Sequence, residues 1–165
     1  MPVLQIRRGT LTSADAALLI EALNAELLAM FPEPGATHFS LSSSQVSIGD
    51  GAFLIAYLDD VAVGCGAVRR LDAATVELKR MYVSPSERGK GIGRALVNAL
   101  EREACKLGAT KVVLETGTRL APAIKLYEAM GYSRIQLFGE YRSSPDTSLC
   151  FGKTLAHSTE SRQAD

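Results

Sequence analysis

The sequence predicts a mixed α+β domain built on a mostly antiparallel sheet of six or seven strands with helices packed against it. Three observations carry this. A block of β-rich runs follows one another with short connections, the apolar period becomes helical after residue 91, and strand and helix then alternate as far as residue 131.

Val3 to Ile6 is an apolar, partly alternating run that reads as the first strand. Thr12 or Ser13 stands as an N-cap before a helix whose apolar stripe runs through Leu19, Ala22, Leu23, Leu27 and Met30. Pro32-Glu33-Pro34-Gly35 ends it. The serine-rich stretch from Ser40 to Ser47 admits either a short helix or a loop.

Ala52 to Leu58 and Val61 to Val68 form a hairpin about Asp59-Asp60, because Asp tolerates the tight turn. A third strand, Thr75 to Val83, stops at Ser84-Pro85, which completes an antiparallel meander. Ile92, Leu96, Ala99, Leu100 and Leu107 then mark one face of a long helix closed by Gly108. Lys111 to Thr116 contains a buried-strand pattern, and Pro122 sits in the first turn of a helix that runs through Met130 to Gly131.

This order makes the Thr75 to Val83 and 111–116 strands parallel, with the intervening helix crossing one face. Two last strands, about Tyr132 to Phe138 and Thr147 to Lys153, face each other across the Gly139 to Pro145 loop. Residues 1–155 form the domain. The 156–165 tail lacks large apolar side chains and is expected to be disordered.

At 165 residues, with 47% hydrophobic and 22% charged, the chain has the size and composition of one globular domain. Its 18 basic and 18 acidic residues cancel, which argues against nucleic acid or an anionic membrane as the main partner. Cys65, Cys105 and Cys150 are widely spaced, and His38 and His157 lie far apart, so neither a disulfide framework nor a metal site is expected. The opening MPVLQIRRG has no basic lead before a long apolar run, and no stretch is long enough to span a bilayer. A reducing, cytoplasmic location is the expectation.

The chemistry concentrates at Arg88-Gly89-Lys90-Gly91-Ile92-Gly93-Arg94, where a strand passes into a helix. Glycines let the backbone N–H groups approach a ligand, and the helix N-terminus adds unpaired donors and a partial positive charge, so the junction suits an anion such as a pyrophosphate. Cations beside a positive helix end oppose helix stability, a conflict that a bound anion relieves. A Walker loop fails because no Ser or Thr occurs from Gly89 to Leu96, and the dinucleotide spacing of glycines fails at Arg94 and Leu96. A solvated glycine-rich turn is the plainer alternative.

The pattern that fits is Arg-x-x-Gly-x-Gly, at Arg88, Gly91 and Gly93. With Glu77-Leu-Lys-Arg-Met-Tyr-Val83 before it, and Ala123-Ile-Lys-Leu-Tyr127 and Gly131-Tyr132 after it, the chain resembles the GNAT superfamily of acetyl-CoA dependent N-acetyltransferases over about residues 50 to 154. The resemblance implies that the strand carrying Met81, Tyr82 and Val83 splays from its parallel neighbour. The pantetheine arm would then add to that strand edge, and backbone N–H groups from Arg88 to Arg94 would hold the pyrophosphate with charge from Arg88 and Lys90. Acetyl-CoA is the implied co-substrate, no metal is required, and direct attack by the amine leaves no role for the cysteines.

Acetyl transfer from a thioester to an amine needs a deprotonated amine, alignment, oxyanion donors and a proton for the thiolate. Through the resemblance Glu77 is the candidate base, directly or through a water. From the residues alone it reads equally as a surface carboxylate or a partner of Lys79 or Arg80. Tyr127 is the candidate acid, although its helical spacing with Ala123 and Met130 also fits a core aromatic. A backbone N–H at Met81 or Val83 would meet the oxyanion. Leu120 stands where many relatives carry Asn or Gln, leaving Thr116 or Arg119 as substitutes for that cofactor contact.

The implied acceptor groove comprises Phe31 to Ser47, Arg69 to Arg80 and Phe138 to Pro145, in which Arg69, Arg80, Tyr141 and Arg142 suit a carboxylate. Ordinary solvated charge is the alternative for each. The resulting expectation is an enzyme, monomer or homodimer, acetylating the primary amine of a small molecule such as an amino acid. A non-catalytic acyl-CoA-binding sensor and a purely structural domain are the competing readings.

Overall fold

A computed structural model of the chain describes residues 2–156. Along the chain run β1 (Leu4–Arg8), α1 (Ala14–Met30), β2 (Gly51–Leu58), β3 (Val61–Arg70), β4 (Thr75–Val83), α2 (Ile92–Lys106), β5 (Lys111–Gly117), α3 (Ala121–Ala129), β6 (Ser133–Ile135) and β7 (Ser148–Thr154). Single 3-10 turns occupy Ser43–Val46, Pro85–Glu87 and Gly139–Ser143.

The strands form one sheet in the order β1-β2-β3-β4-β5-β7-β6. Only β4 and β5 pair in parallel, as the crossover by α2 requires; every other neighbouring pair is antiparallel. β7, last in the chain, lies inside the sheet between β5 and β6.

Local chemistry sets the boundaries. Ser13 caps α1 by accepting a hydrogen bond from the Ala16 N–H at 3.1 Å. Asp59 and Asp60 both have positive φ, 48° and 66°, the geometry that turns a two-residue hairpin in register with strand twist. Gly108 and Gly131, at φ 80° and 93°, stand just beyond α2 and α3 in the left-handed conformation that ends a helix most cheaply.

Strand alternation gives the sheet two unlike faces. Leu54, Val68, Val76, Leu78, Val112, Leu114 and Phe151 point to one side and are covered by Leu96, Val97 and Leu100 of α2 and Tyr127 and Met130 beyond them. On the other side, Phe53, Ile55, Cys65 and Ala67 of β2 and β3 meet Ala16, Leu19 and Leu23 of α1. Ala22, expected in the buried stripe, is exposed because α1 rests on the line through Ala16, Leu19 and Leu23. The last hairpin is also shorter than expected, since β6 ends at Ile135 opposite Cys150. The tail beyond residue 156 lies outside the described residues.

Candidate active site

The parallel pairing of β4 with β5 covers only Thr75 to Leu78 against Lys111 to Leu114. Beyond Leu78 the strands part, while β4 continues to Val83 and β5 to Gly117. A bulge redirects β4 at this point. Lys79 pairs with Ala67 and Tyr82 with Cys65, so Arg80 and Met81 together oppose Gly66. Arg80 adopts φ 58°, a left-handed conformation that costs an arginine about 1–3 kcal/mol. Gly66 is required beneath it, because a Cβ there would collide with Met81 Sδ and Leu100. The bulge brings the side chains of both Lys79 and Arg80 to the α1 side, where Lys79 meets Glu140 and Arg80 meets Asn24 and Phe39.

The opening is a cleft of about 130 Å³ whose walls include Lys79, Arg80, Met81, Glu115, Tyr127 and Tyr141, with Leu23 and Leu27 of α1. It passes between the two faces of the sheet, with Tyr127 on the α2–α3 side and Arg80 on the α1 side.

Tyr127 is nearly buried and packs edge-on to Tyr132, with ring centroids 5.8 Å apart. Its hydroxyl has no hydrogen-bond partner among the described residues, whereas those of Tyr57, Tyr132 and Tyr141 each donate to a carboxylate. Burial first, then the charge of Glu115, push its phenol well above the usual range, so it stays protonated.

Glu77, expected in a partly desolvated cleft, is fully buried and is not a wall residue. Arg69 donates to its Oε1 from Nε at 2.9 Å and Nη2 at 2.8 Å, and the Tyr141 hydroxyl donates to its Oε2. Of the acceptor candidates, Arg80 and Tyr141 line the cleft, while the guanidinium of Arg69 is held by Glu77. Arg142, the fourth, is exposed. Arg80 is nearly buried, hydrogen-bonded to Asn24 Oδ1, over the Phe39 ring at 5.0 Å, and has no carboxylate within 4.0 Å among the described residues. Burial lowers its proton affinity.

At the junction into α2, Gly89 and Gly91 take φ 79° and 84° with open space where a side chain would stand. The first N–H to find a backbone partner is that of Ala95, to the Gly91 carbonyl at 3.0 Å. Those of Gly89, Lys90, Gly91, Ile92, Gly93 and Arg94 have none among the described residues. Gly93 packs closely, since its Cβ would stand 3.2 Å from Leu126 Cδ2 and the leucine would have to give slightly. The two nearest cations are already engaged. Arg88 pairs with Glu26 of α1 at 2.7 Å and donates from Nε to the Val83 carbonyl, and Lys90 pairs with Glu87 at 2.7 Å. Toward solvent this end therefore presents backbone N–H groups, with Arg94 exposed beside it.

Leu120 and Thr116 are both wall residues, while Arg119 is tied to Glu33 and to the Met30 carbonyl. Of the two substitutes read from the sequence, Thr116 faces the cleft. Cys65 is buried with its thiol pushed up to about 12 by desolvation, unfit for a nucleophile.

Sequence reasoning passed over Glu115 and the part His38 plays. Glu115 is a carboxylate within the apolar run Val112–Leu114, a position where only function or an ion pair holds a charge, and that was the available signal. His38 lines the cleft, stacks edge-on to Tyr141 at 4.9 Å and shares a hydrogen bond of 2.8 Å with Ser144 Oγ. Among the described residues no His, Cys, Asp and Glu side chains are grouped to hold a metal ion, and no helix is long and apolar enough to cross a membrane.

The sequence profile described as the acetyltransferase (GNAT) family matches residues 18–132. Among curated proteins, an IAA acetyltransferase of Azospirillum brasilense is 34% identical over 146 residues, covering 88% of this chain and 94% of that protein. Among solved structures, a Klebsiella pneumoniae protein assigned as an acyl-CoA N-acyltransferase superposes with a TM-score of 0.80 at 30% identity, covering 93% of this chain and 99% of the other. A GNAT family acetyltransferase from Elizabethkingia anophelis, crystallised with acetyl-CoA bound, shares the fold at a TM-score of 0.66 and 17% identity, covering 92% and 98%.

Proposed function

The chain belongs to the GNAT acetyltransferase family, and from that premise we propose that it acetylates the primary amine of a small, carboxylate-bearing molecule of the amino-acid kind, by direct attack. The observation that carries the reading is the opening between β4 and β5, where a phenol without a partner and a buried guanidinium without a carboxylate face one small cleft.

Acetyl-CoA, when bound, supplies a thioester carbonyl and a thiolate leaving group. The residues present fit it. The unpaired N–H groups of Gly89 to Arg94 suit its diphosphate, and the edge of β4 at Met81 to Val83, which no strand pairs on the β5 side, offers backbone groups to an extended amide-bearing arm, although the Val83 carbonyl already accepts from Arg88. In this reading a backbone N–H at Met81 or Val83 meets the developing negative charge, and the Tyr127 hydroxyl donates a proton.

Arg80 anchors the acceptor carboxylate. A buried cation with only an amide oxygen and an aromatic face for company gains most from an anion, and a guanidinium binds a carboxylate through two parallel hydrogen bonds. Tyr141 closes the same wall. Glu77, the base read from the sequence, is screened from the cleft by Arg69 and Tyr141, which engage both of its oxygens.

The test is release of free thiol from acetyl-CoA with a panel of amino acids and simple amines. Acetyl-CoA is expected to raise the melting temperature, and Gly91→Glu to abolish that rise by placing bulk and negative charge on the diphosphate site. Tyr127→Phe is expected to lower kcat by about 100-fold with the thermal shift retained. A thermal shift without turnover on any amine would mark an acyl-CoA-binding module instead. Indifference to acetyl-CoA would refute both.

A further inference from the structure

Two carboxylates lie near the opening between β4 and β5, and their surroundings differ. Both oxygens of Glu77 are engaged by Arg69 and Tyr141, and it is sealed from the cleft. Glu115 is a wall residue with no Lys, Arg or His within 4.0 Å among the described residues. The register of β5 with β7 sets Gly117 opposite Ser148 and Glu115 opposite Cys150, so Ser148 is the diagonal neighbour of Glu115 on the same face. Its hydroxyl is near the carboxylate, though the two do not meet as a direct hydrogen bond.

From there the contacts continue. Ser148 Oγ lies 3.0 Å from Ser144 Oγ, and Ser144 Oγ lies 2.8 Å from His38 Nε2. His38 Nδ1 is 4.0 Å from Glu140 Oε2, on a side chain that is 43% exposed. Ser144 and Ser148 are buried. Exchangeable groups thus run from the cleft toward the surface, hydrogen-bonded from Ser148 through Ser144 to His38, with a closer approach needed at either end, Glu115 to Ser148 and His38 to Glu140.

We propose that Glu115 is the base that takes the proton from the acceptor ammonium, and that Ser148, Ser144 and His38 relay it to solvent beside Glu140. The inference rests on the acetyl-transfer reading above. In the step, an N–H bond of the ammonium breaks, its electron pair stays on nitrogen for the attack, and an O–H bond forms on Glu115. Each serine then accepts one proton at Oγ and releases its own to the next group. His38 accepts at Nε2 and gives up the proton on Nδ1. One proton leaves the amine, one reaches water, and nothing is oxidised or reduced.

The groups facing Glu115 suit this task. Glu77 and Lys79 approach from β4, Tyr127 from α3, Glu140 and Tyr141 from the turn after β6, Ser148 and Cys150 from β7, and His38 from the loop after α1. Burial, then the charge of Glu77, push the Glu115 carboxyl up to about 7; Lys79 opposes, Glu140 adds, and the nearby Ser148 hydroxyl opposes. A base works best with a pKa near the working pH, which an ordinary glutamate misses by more than two units.

The experiment compares full-length Glu115→Gln, Glu77→Gln, Ser148→Ala, Ser148→Thr and His38→Gln with the wild type, using acetyl-CoA and the amino-acid panel across pH. Folding is checked by the acetyl-CoA thermal shift. Carbon-13 labelling of glutamate carboxyls gives a readout independent of turnover. Glu115→Gln should lower kcat/KM about 100-fold and erase its acid limb, while Glu77→Gln keeps the limb. Ser148→Ala and His38→Gln should lower kcat about 10-fold with little change in KM, and Ser148→Thr, which keeps the hydroxyl, should restore most of it. In the wild type one carboxyl resonance, absent from Glu115→Gln, should titrate near neutrality.

An acid limb that survives Glu115→Gln, or a Glu115 resonance titrating in the ordinary carboxylate range, overturns the base. Wild-type rates in Ser148→Ala and His38→Gln overturn the relay. In either case a wild type that turns over leaves the acetyl-transfer reading standing. A wild type inert toward the whole panel removes that reading, and the inference with it.

Discussion

The two faces of the sheet solve the burial problem differently. Beneath α2 and α3 the strands present an uninterrupted aliphatic and aromatic surface, from Leu54 through Leu78 to Phe151. Beneath α1 that holds only over β2 and β3. Over β4, β5 and β7 the second face carries Glu77, Lys79, Glu115 and Ser148, covered by His38 and Tyr141 from loops. The first face gains stability from area alone, at about 25 cal/mol per Å² of apolar surface removed from water. The second takes on desolvated charge that only good partners offset. The difference teaches where the fold has placed its chemistry: the charged half adjoins the point where β4 and β5 part.

The largest effect should come from the apolar face. Phe151→Ala, at a residue 2% exposed, is expected to cost about 3–5 kcal/mol in urea denaturation, with the acetyl-CoA thermal shift surviving wherever the protein remains folded. A loss under about 1 kcal/mol would erase the contrast between the faces.

Next comes the buried pair. Glu77→Ala should cost about 3 kcal/mol, since it strands the guanidinium of Arg69 and the hydroxyl of Tyr141. The triple change Arg69→Met, Glu77→Leu, Tyr141→Phe should return to within about 1 kcal/mol of wild type without recovering activity. Stability and turnover would then be separated on this face, as they cannot be on the other.

The smallest effect has the opposite sign. Glu115 has a folded pKa of about 7 against 4.5 for the free group. Between those values the folded state holds a proton that the unfolded state has lost, so rising pH costs stability. The contribution is intact below the unfolded value and lost as pH passes the folded one. Glu115→Gln should therefore match wild type at pH 4 and exceed it by about 2 kcal/mol at pH 6, a difference in which the other carboxylates cancel. Equal stability at both pH values would remove Glu115 from the desolvated set.

Features set by neighbours along the chain were legible in the sequence. The Asp59-Asp60 hairpin, the glycine at the start of α2 and those beyond the ends of α2 and α3, and the parallel crossover all follow from local pattern. The bulge at Arg80 was not, because no glycine marks it, and the break in alternation at Lys79-Arg80 within Glu77-Leu-Lys-Arg-Met-Tyr-Val83 does not by itself specify a bulge. Arg88 reads from the sequence as a phosphate ligand, and its ion pair with Glu26, 62 positions away on another helix, is a tertiary contact that spacing does not show. His38 and Ser144 are 106 positions apart and meet only through the fold. A carboxylate's partners are a property of tertiary register, which composition and spacing do not encode.

Because β7 enters the sheet between β5 and β6, the last strand made is an interior one. During synthesis, Val112, Val113 and Leu114 emerge well before the segment that will pair with them, leaving a sticky, unpaired β-edge on the nascent chain. Premature termination before residue 148 should thus yield an aggregation-prone fragment rather than a weakened enzyme, a case for chaperones to intercept.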